Sequence, residues 1–112
     1  MARSVATALK GSAEVFAALG DETRLALLAK LTQGEPRSIV QLTVGTRLTR
    51  QAVTKHLRVL EGAGVVRGHR VGRESRFTLD PRPLVEAQTY LDHVAKQWDN
   101  ALLRLKTLVE DQ

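Results

Sequence analysis

The sequence predicts a mostly α-helical fold carrying one small β-hairpin, and three observations support that prediction. Leu, Ala, Arg and Val dominate a chain whose only Phe, Tyr and Trp residues are Phe16, Phe77, Tyr90 and Trp98, a balance that favours helices over an all-β sandwich. Apolar residues recur at helical spacing along most of the length, and only between residues 65 and 79 does the period shorten to two. At 112 residues, the chain has room for one domain and too little for a doubly wound sheet plus a second lobe. Its 43% hydrophobic and 26% charged content is that of a chain that builds a core rather than staying disordered.

Taken in order, Ala6, Leu9, Ala13 and Phe16 step at helical spacing, so a first helix spans 5–19 and stops at Gly20. Asp21 is suited to cap a second helix, with Glu22 in its first turn; Leu25, Leu27, Leu28 and Leu31 supply its buried side, and Gly34 and Pro36 end it. Ser38 and Gln41 form an S-x-x-Q capping box that opens a helix of about two turns with Ile39, Val40 and Leu42, closed by Gly45. Thr49 caps a fourth helix that runs to about Ala63, flanked by Gly62 and Gly64. Two helices joined by so short a turn make a helix-turn-helix over 38–63.

Beyond Gly64 the period changes. Val65, Val66 and Val71 flank a polar run, Gly72 and Arg73 offer a two-residue turn, and Phe77 and Leu79 alternate after it, which predicts a hairpin over 65–79. Pro81 and Pro83 bracket the start of a last helix over 82–112. In it Leu84, Ala87, Leu91, Val94, Trp98, Ala101, Leu105 and Leu108 alternate steps of three and four. That unbroken heptad is a seam made for another helix.

Charge is distributed unevenly. The net is +5 overall, yet residues 37–82 carry +7 and the remainder −2, so the middle of the chain is built to meet something anionic. Cysteine is absent, which removes disulfides, thiolate metal sites, Fe–S clusters and thiol nucleophiles together. The longest stretch without a charged residue is the nine positions from Ser38 to Thr46, against the roughly 18 to 20 of a membrane span, and the first residues lack the apolar run of a signal peptide. A cytoplasmic protein with no membrane partner is the expectation. Enzyme chemistry needs a nucleophile with its base, paired carboxylates or a phosphate loop; the sequence shows none of these, and no cofactor is expected.

On a helical wheel with Val53 at zero, Leu57 and Leu60 fall at about 40° and −20° and define the buried side of the fourth helix, whereas Gln51, Thr54, Lys55 and Arg58 fall between about 100° and 200°. This outward face donates hydrogen bonds and holds no acid, as a surface that reads DNA would; a solvated helix usually mixes signs to gain ion pairs. Arg50 lies at about 60°, but a first-turn residue still reaches the groove because recognition helices enter by their N-terminal ends. The hairpin adds Arg67, His69, Arg70, Arg73 and Arg76, opposed by Glu74. Burying unpaired guanidinium groups costs several kcal/mol, so this ribbon projects into solvent or lies against phosphate; edge strands also use such charge against aggregation.

The runs FAALGDETR at 16–24, LTRQAVTKHLRVL at 48–60, AGVVRG at 63–68 and GRESRFTL at 72–79 resemble the ArsR/SmtB-type winged-helix repressors over roughly residues 13 to 112. The resemblance implies a winged helix-turn-helix, an obligate homodimer built from the first and last helices, a recognition helix in the major groove and repression by blocking a promoter. The Trp98-centred tail and the DPRPL run at 80–84 are similar to the metal-independent, autorepressor-like branch. Departures from the family pattern are Glu22 where Pro is frequent and Phe77 where Tyr is common. Val40-Gln41-Leu42-Thr43-Val44 stands where metal sensors carry a Cys-containing box, and Asp92 and His93 are adjacent rather than spaced as Asp-x-His. No metal site is expected.

On this reading Arg50, Gln51, Thr54, Lys55 and Arg58 form the recognition surface, and Arg47, Thr49, Arg67, His69, Arg70, Arg73 and Arg76 hold the DNA backbone from the turn and wing. Leu9, Phe16, Leu84, Leu91, Val94, Trp98, Leu105 and Leu108 make the dimer interface. His56, at about −60° on the wheel, borders the core, and His93 lies beside the seam. The expected partners are a second copy and double-stranded DNA with an inverted repeat. Two alternatives stay open: a regulator released from DNA by a small molecule bound between the first and last helices, and a basic module that docks an acidic protein.

Overall fold

A computed structural model of the chain describes the backbone of residues 5–111 and the side chains from Leu9 to Asp111. The order is α1 (Val5–Leu19), α2 (Glu22–Leu31), β1 (Arg37–Ser38), α3 (Ile39–Thr43), α4 (Arg50–Gly62), β2 (Val66–Val71), β3 (Glu74–Leu79) and α5 (Arg82–Glu110). Ala6, counted in the first apolar stripe, lies outside the described side chains, and Gln112, the predicted end of the last helix, lies outside the described residues.

The three predicted side-chain caps, at the starts of α2, α3 and α4, are all made. Asp21 accepts from the Arg24 backbone N–H at 3.0 Å. Ser38 and Gln41 exchange both hydrogen bonds of the capping box, at 2.9 and 3.1 Å, and Thr49 Oγ1 accepts from Ala52 N–H at 3.0 Å, so orphan donors of the first turns are satisfied locally. Gly45 and Gly64 follow their helices with φ of 81° and 79°, the left-handed geometry in which a Cβ is strained. At Gly72, φ is 64° and the register pairs Val71 with Glu74, giving the two-residue hairpin with glycine at its first position.

The core gathers Leu27, Leu28 and Leu31 of α2, Leu42 of α3, Val53, Leu57 and Leu60 of α4, Val65, Val66 and Phe77 of the hairpin, Val15 and Ala18 of α1, and Ala87 of α5. The α4 stripe is completely buried, which fixes by exclusion the face this helix turns outward.

Several expectations are corrected. Leu25 is not part of the buried side of α2; it is 50% exposed, because Leu27, Leu28 and Leu31 already span the arc that meets the core. The third helix is five residues long rather than two turns, and Val40 is exposed. Residues 37 and 38 add a third strand: Arg37 pairs with Phe77 and Ser38 with Arg76, so the sheet order is β1-β3-β2 and β3 is central. The heptad of α5 divides. Leu84 and Ala87 pack into the chain's own core, whereas Leu91, Trp98, Leu105 and Leu108 are exposed, Trp98 to 65%.

Candidate nucleic-acid interface

The outward face of α4 and the hairpin form adjoining parts of one basic surface. Gln51, Lys55 and Arg58 are exposed and Thr54 is half-buried, as the wheel requires. An open cleft of about 320 Å³ runs between the start of α4 and the hairpin tip, lined by Arg50, Gln51 and Thr54 on one side and Arg73, Glu74 and Ser75 on the other. Arg47, Thr49 and Arg50, in the turn and first residue of α4, are exposed beside it. Among the described residues no carboxylate lies within ion-pair distance of Arg47, Arg50, Lys55, Arg70 or Arg73. These cations keep their charge available for an outside partner.

Besides Thr49, whose hydroxyl caps α4, four of the predicted contact residues have partners within the chain. Thr54 Oγ1 donates to the Arg50 carbonyl at 2.7 Å, so its hydroxyl hydrogen is used within the helix and it offers a partner only lone pairs and a methyl group. Arg58 is not free of acids, because Glu61 accepts from it at 2.8 Å. Arg76 is paired with Glu74 at 2.9 Å. Arg67, exposed at its tip, donates to Asp80 at 3.2 Å. His69, Arg70 and Arg73 project from the exposed part of the hairpin.

The residues that hold this surface in shape were mostly missed. Asp80, nearly buried, accepts from Arg67 Nε, from Arg82 N–H and from two guanidinium nitrogens of Arg82, at 2.7–3.2 Å. The Arg82 hydrogen bonds hold its carboxyl well below the usual carboxylate range, and the cluster fastens the base of the wing to the start of α5. Its sequence signal is an Asp directly before Pro-Arg-Pro. Glu61 bridges in the same way: one oxygen takes Arg58, the other the Gly68 N–H at 3.1 Å, joining the end of α4 to β2. On the opposite flank Arg24 donates to the carbonyls of Ala18 and Ala17, at 2.6 and 3.3 Å, and its Nη1 lies 3.4 Å from His56 Nδ1. Asp21 Oδ2 lies 3.8 Å from the same nitrogen. His56 is therefore a half-buried, hydrogen-bonded link from α4 to α2, whose Arg24 in turn holds the end of α1, and it lies away from the outward face.

Residues 19–69, which hold α2, the helix-turn-helix and the start of the wing, match the family model of a helix-turn-helix domain. The HTH-type transcriptional repressor SmtB of Mycobacterium tuberculosis is 32% identical over 94 residues, covering 84% of this chain and 67% of that protein. An ArsR-like transcriptional regulator from Rhodococcus sp. RHA1 is 34% identical and superposes with a TM-score of 0.78 over 89% of this chain and 93% of its own. The chain belongs to the ArsR/SmtB family of winged helix-turn-helix transcriptional regulators. A further ArsR-type structure, Mb0332 of Mycobacterium bovis, is described as a homodimeric winged helix-turn-helix DNA-binding domain; it is 25% identical, with a TM-score of 0.66, over 87% of this chain and 92% of its own. In ArsR/SmtB terms α3 and α4 are the helix-turn-helix and β2–β3 the wing, and the protein is a DNA-binding transcriptional regulator, not an enzyme. Among the described residues no helix is long and apolar enough to cross a membrane.

Proposed function

We propose that this regulator is a homodimeric repressor that reads an inverted repeat in duplex DNA. The observation that carries the reading is the adjoining of α4's donor-rich outward face to a wing whose tip arginines have no carboxylate partner among the described residues. Gln51 and Arg50, with Lys55, reach the floor of the major groove, where bidentate donors discriminate base pairs. Arg47, Thr49, Arg70 and Arg73 hold phosphates, which position the protein without reading sequence. His69 accompanies them on the wing. Arg58, Arg67 and Arg76 contribute field and shape, since each is already shared with an acid. Thr54 contributes a methyl group and an acceptor.

The dimer rests on the exposed seam. Leu91, Trp98, Leu105 and Leu108 form one stripe on a helix about 43 Å long, and a patch of that length is large for a monomer of this size. Leu9, exposed, and Phe16, whose ring centre is 6.1 Å from that of Tyr90, extend the stripe onto α1. Val94 lies within it, and Leu84 anchors its start in the core. A repressor role takes support from the relative SmtB, a transcriptional repressor by name.

Metal plays no part in this reading. Tight regulatory Zn²⁺ sites draw mostly on thiolate and imidazole; the chain has no cysteine and three histidines, which stand on α4, the wing and α5. The test of the DNA reading is a salt titration with a selected duplex and a random one. A steep log–log slope in both, with the selected duplex bound at least about a thousandfold more tightly, is expected; equal affinity for the two would overturn it.

A further inference from the structure

A second cluster of donors shares no residue with those assigned to DNA contact. A cleft of about 230 Å³ is lined by Ala29, Lys30 and Gln33 of α2 and its exit, Arg37 of β1, and Gln41 and Leu42 of α3. Every ionisable group in this lining is a cation. Arg37 Nε is buried and has no hydrogen-bond partner, and its nearest carboxylate, Glu35, reaches only the other end of the guanidinium at 3.9 Å. A buried guanidinium N–H left unmade costs free energy, and each such group calls for an explanation.

The neighbouring side chains are oriented the same way. Gln41 Oε1 is fixed by the Ser38 N–H in the capping box, so its amide NH₂ is the end left over, and among the described residues it has no acceptor. Lys30 Nζ gives two hydrogens to the carbonyls of Leu42 and Val44, at 2.9 and 2.8 Å, and retains a third. Gln33 is exposed at the rim. Two cations and two amides around one cleft, with a buried N–H lacking an acceptor, make a set complementary to oxygen lone pairs and negative charge.

We infer that this cleft between α2, β1 and α3 binds a small oxyanion, a phosphate or a carboxylate, through Arg37 Nε with Lys30, Gln33 and Gln41. The site shares no lining residue with the cleft between α4 and the wing and does not rest on the DNA-binding reading. Its ligand would touch Lys30, the side chain that holds the carbonyls at the end of α3.

The experiment is a titration of ¹⁵N-labelled protein with inorganic phosphate, and in parallel with acetate, at ionic strength held constant with sodium chloride. The Arg37 Nε–Hε resonance and the side-chain amides of Gln33 and Gln41 are followed. The expected result is a saturable shift of all three with at least one of the two anions, and the better ligand names the class. Arg37→Lys, which keeps the charge and removes the Nε–H, should weaken binding about tenfold. Gln33→Ala, at an exposed position that does not endanger folding, should weaken it measurably. Shifts that rise linearly without saturation, or saturable shifts unchanged in both variants, would overturn the site. A third arm with duplex DNA separates the sources: if duplex moves the Arg37 signal and neither free anion does, the cleft is a DNA-backbone contact and the inference fails. Loss of DNA binding with anion binding intact would count against the DNA reading alone.

Discussion

Asp80 is the residue on which the wing and the last helix both depend, and its chemistry is testable by pH. Its folded pKa is depressed by the hydrogen bonds and charge of Arg82 and by Arg67, so the unfolded chain takes up the proton first. The stability it contributes is complete above the ordinary carboxylate range and is lost as pH falls below about 4 toward the depressed value. Asp80→Asn should therefore lower the Tm at neutral pH and flatten its acid decline, and the two proteins should converge at low pH. Thermal melts across the acid range check this; parallel curves would contradict it. On the DNA surface, Gln51→Ala should cost roughly 1–3 kcal/mol and relax the preference at one base pair per half-site. Arg73→Ala should weaken all sequences alike and reduce the salt slope by about one for each phosphate it ceases to neutralise. Binding curves on specific and random duplexes distinguish the two, and equal losses for both variants would contradict the division of labour. Residues of this kind were only partly legible in the sequence. Val53, Leu57 and Leu60 follow from periodicity alone, because burial obeys helical geometry. That Thr54 spends its hydrogen on Arg50 and Arg58 its charge on Glu61 depends on rotamers, which spacing does not set.

Among the elements, α4 owes its position as much to the wing as to the helix before it. Glu61 reaches the Gly68 N–H because position 68 has no side chain: a Cβ there would come within 2.8 Å of Glu61 Oε2 and 3.0 Å of the Phe77 ring. The glutamate could swing away, but Phe77 is a fully buried core residue and has little room to yield. Gly68→Ala should thus destabilise by roughly 1–3 kcal/mol and release the end of α4, read as a lower denaturation midpoint and faster amide exchange at Gly62 to Gly64. An unchanged midpoint would show that the strand absorbs the methyl group. The caps at Asp21, Ser38 and Thr49, and the hairpin turn at Gly72, were readable because each rests on a local rule linking residue type to backbone geometry. Strand β1 was not. Two residues are too few to show alternation, and Arg37 and Ser38 pair with Phe77 and Arg76 from a distant part of the chain. Leu25 misled for a related reason: helical spacing gives a stripe, and the neighbouring elements decide how wide a stripe is covered.

The whole molecule measures 69 × 38 × 21 Å, far from spherical, because α5 extends well beyond the elements that cover its first turns. Its exposed apolar stripe is the surface to which the proposed dimer is assigned; the heptad marks that stripe in the sequence but does not tell which of its positions are taken by the chain's own core. Trp98→Ala removes little from the isolated chain, where the ring is 65% exposed, so its cost should fall on association. We expect a loss of roughly 2–4 kcal/mol, a rise in dimer dissociation constant of about thirtyfold or more, seen as a concentration-dependent monomer by sedimentation while helical content is retained. An unchanged dimer would move the interface elsewhere. Two copies joined along this seam carry two recognition helices, and the claim that unites the account is that they read DNA together. The most direct test is selection of bound sequences from a random duplex library by the wild-type protein. The account predicts an inverted repeat whose half-site centres lie about 10–10.5 base pairs apart or a multiple of that, one face of the double helix. A single half-site without its inverted mate, or no enriched sequence at all, would contradict it.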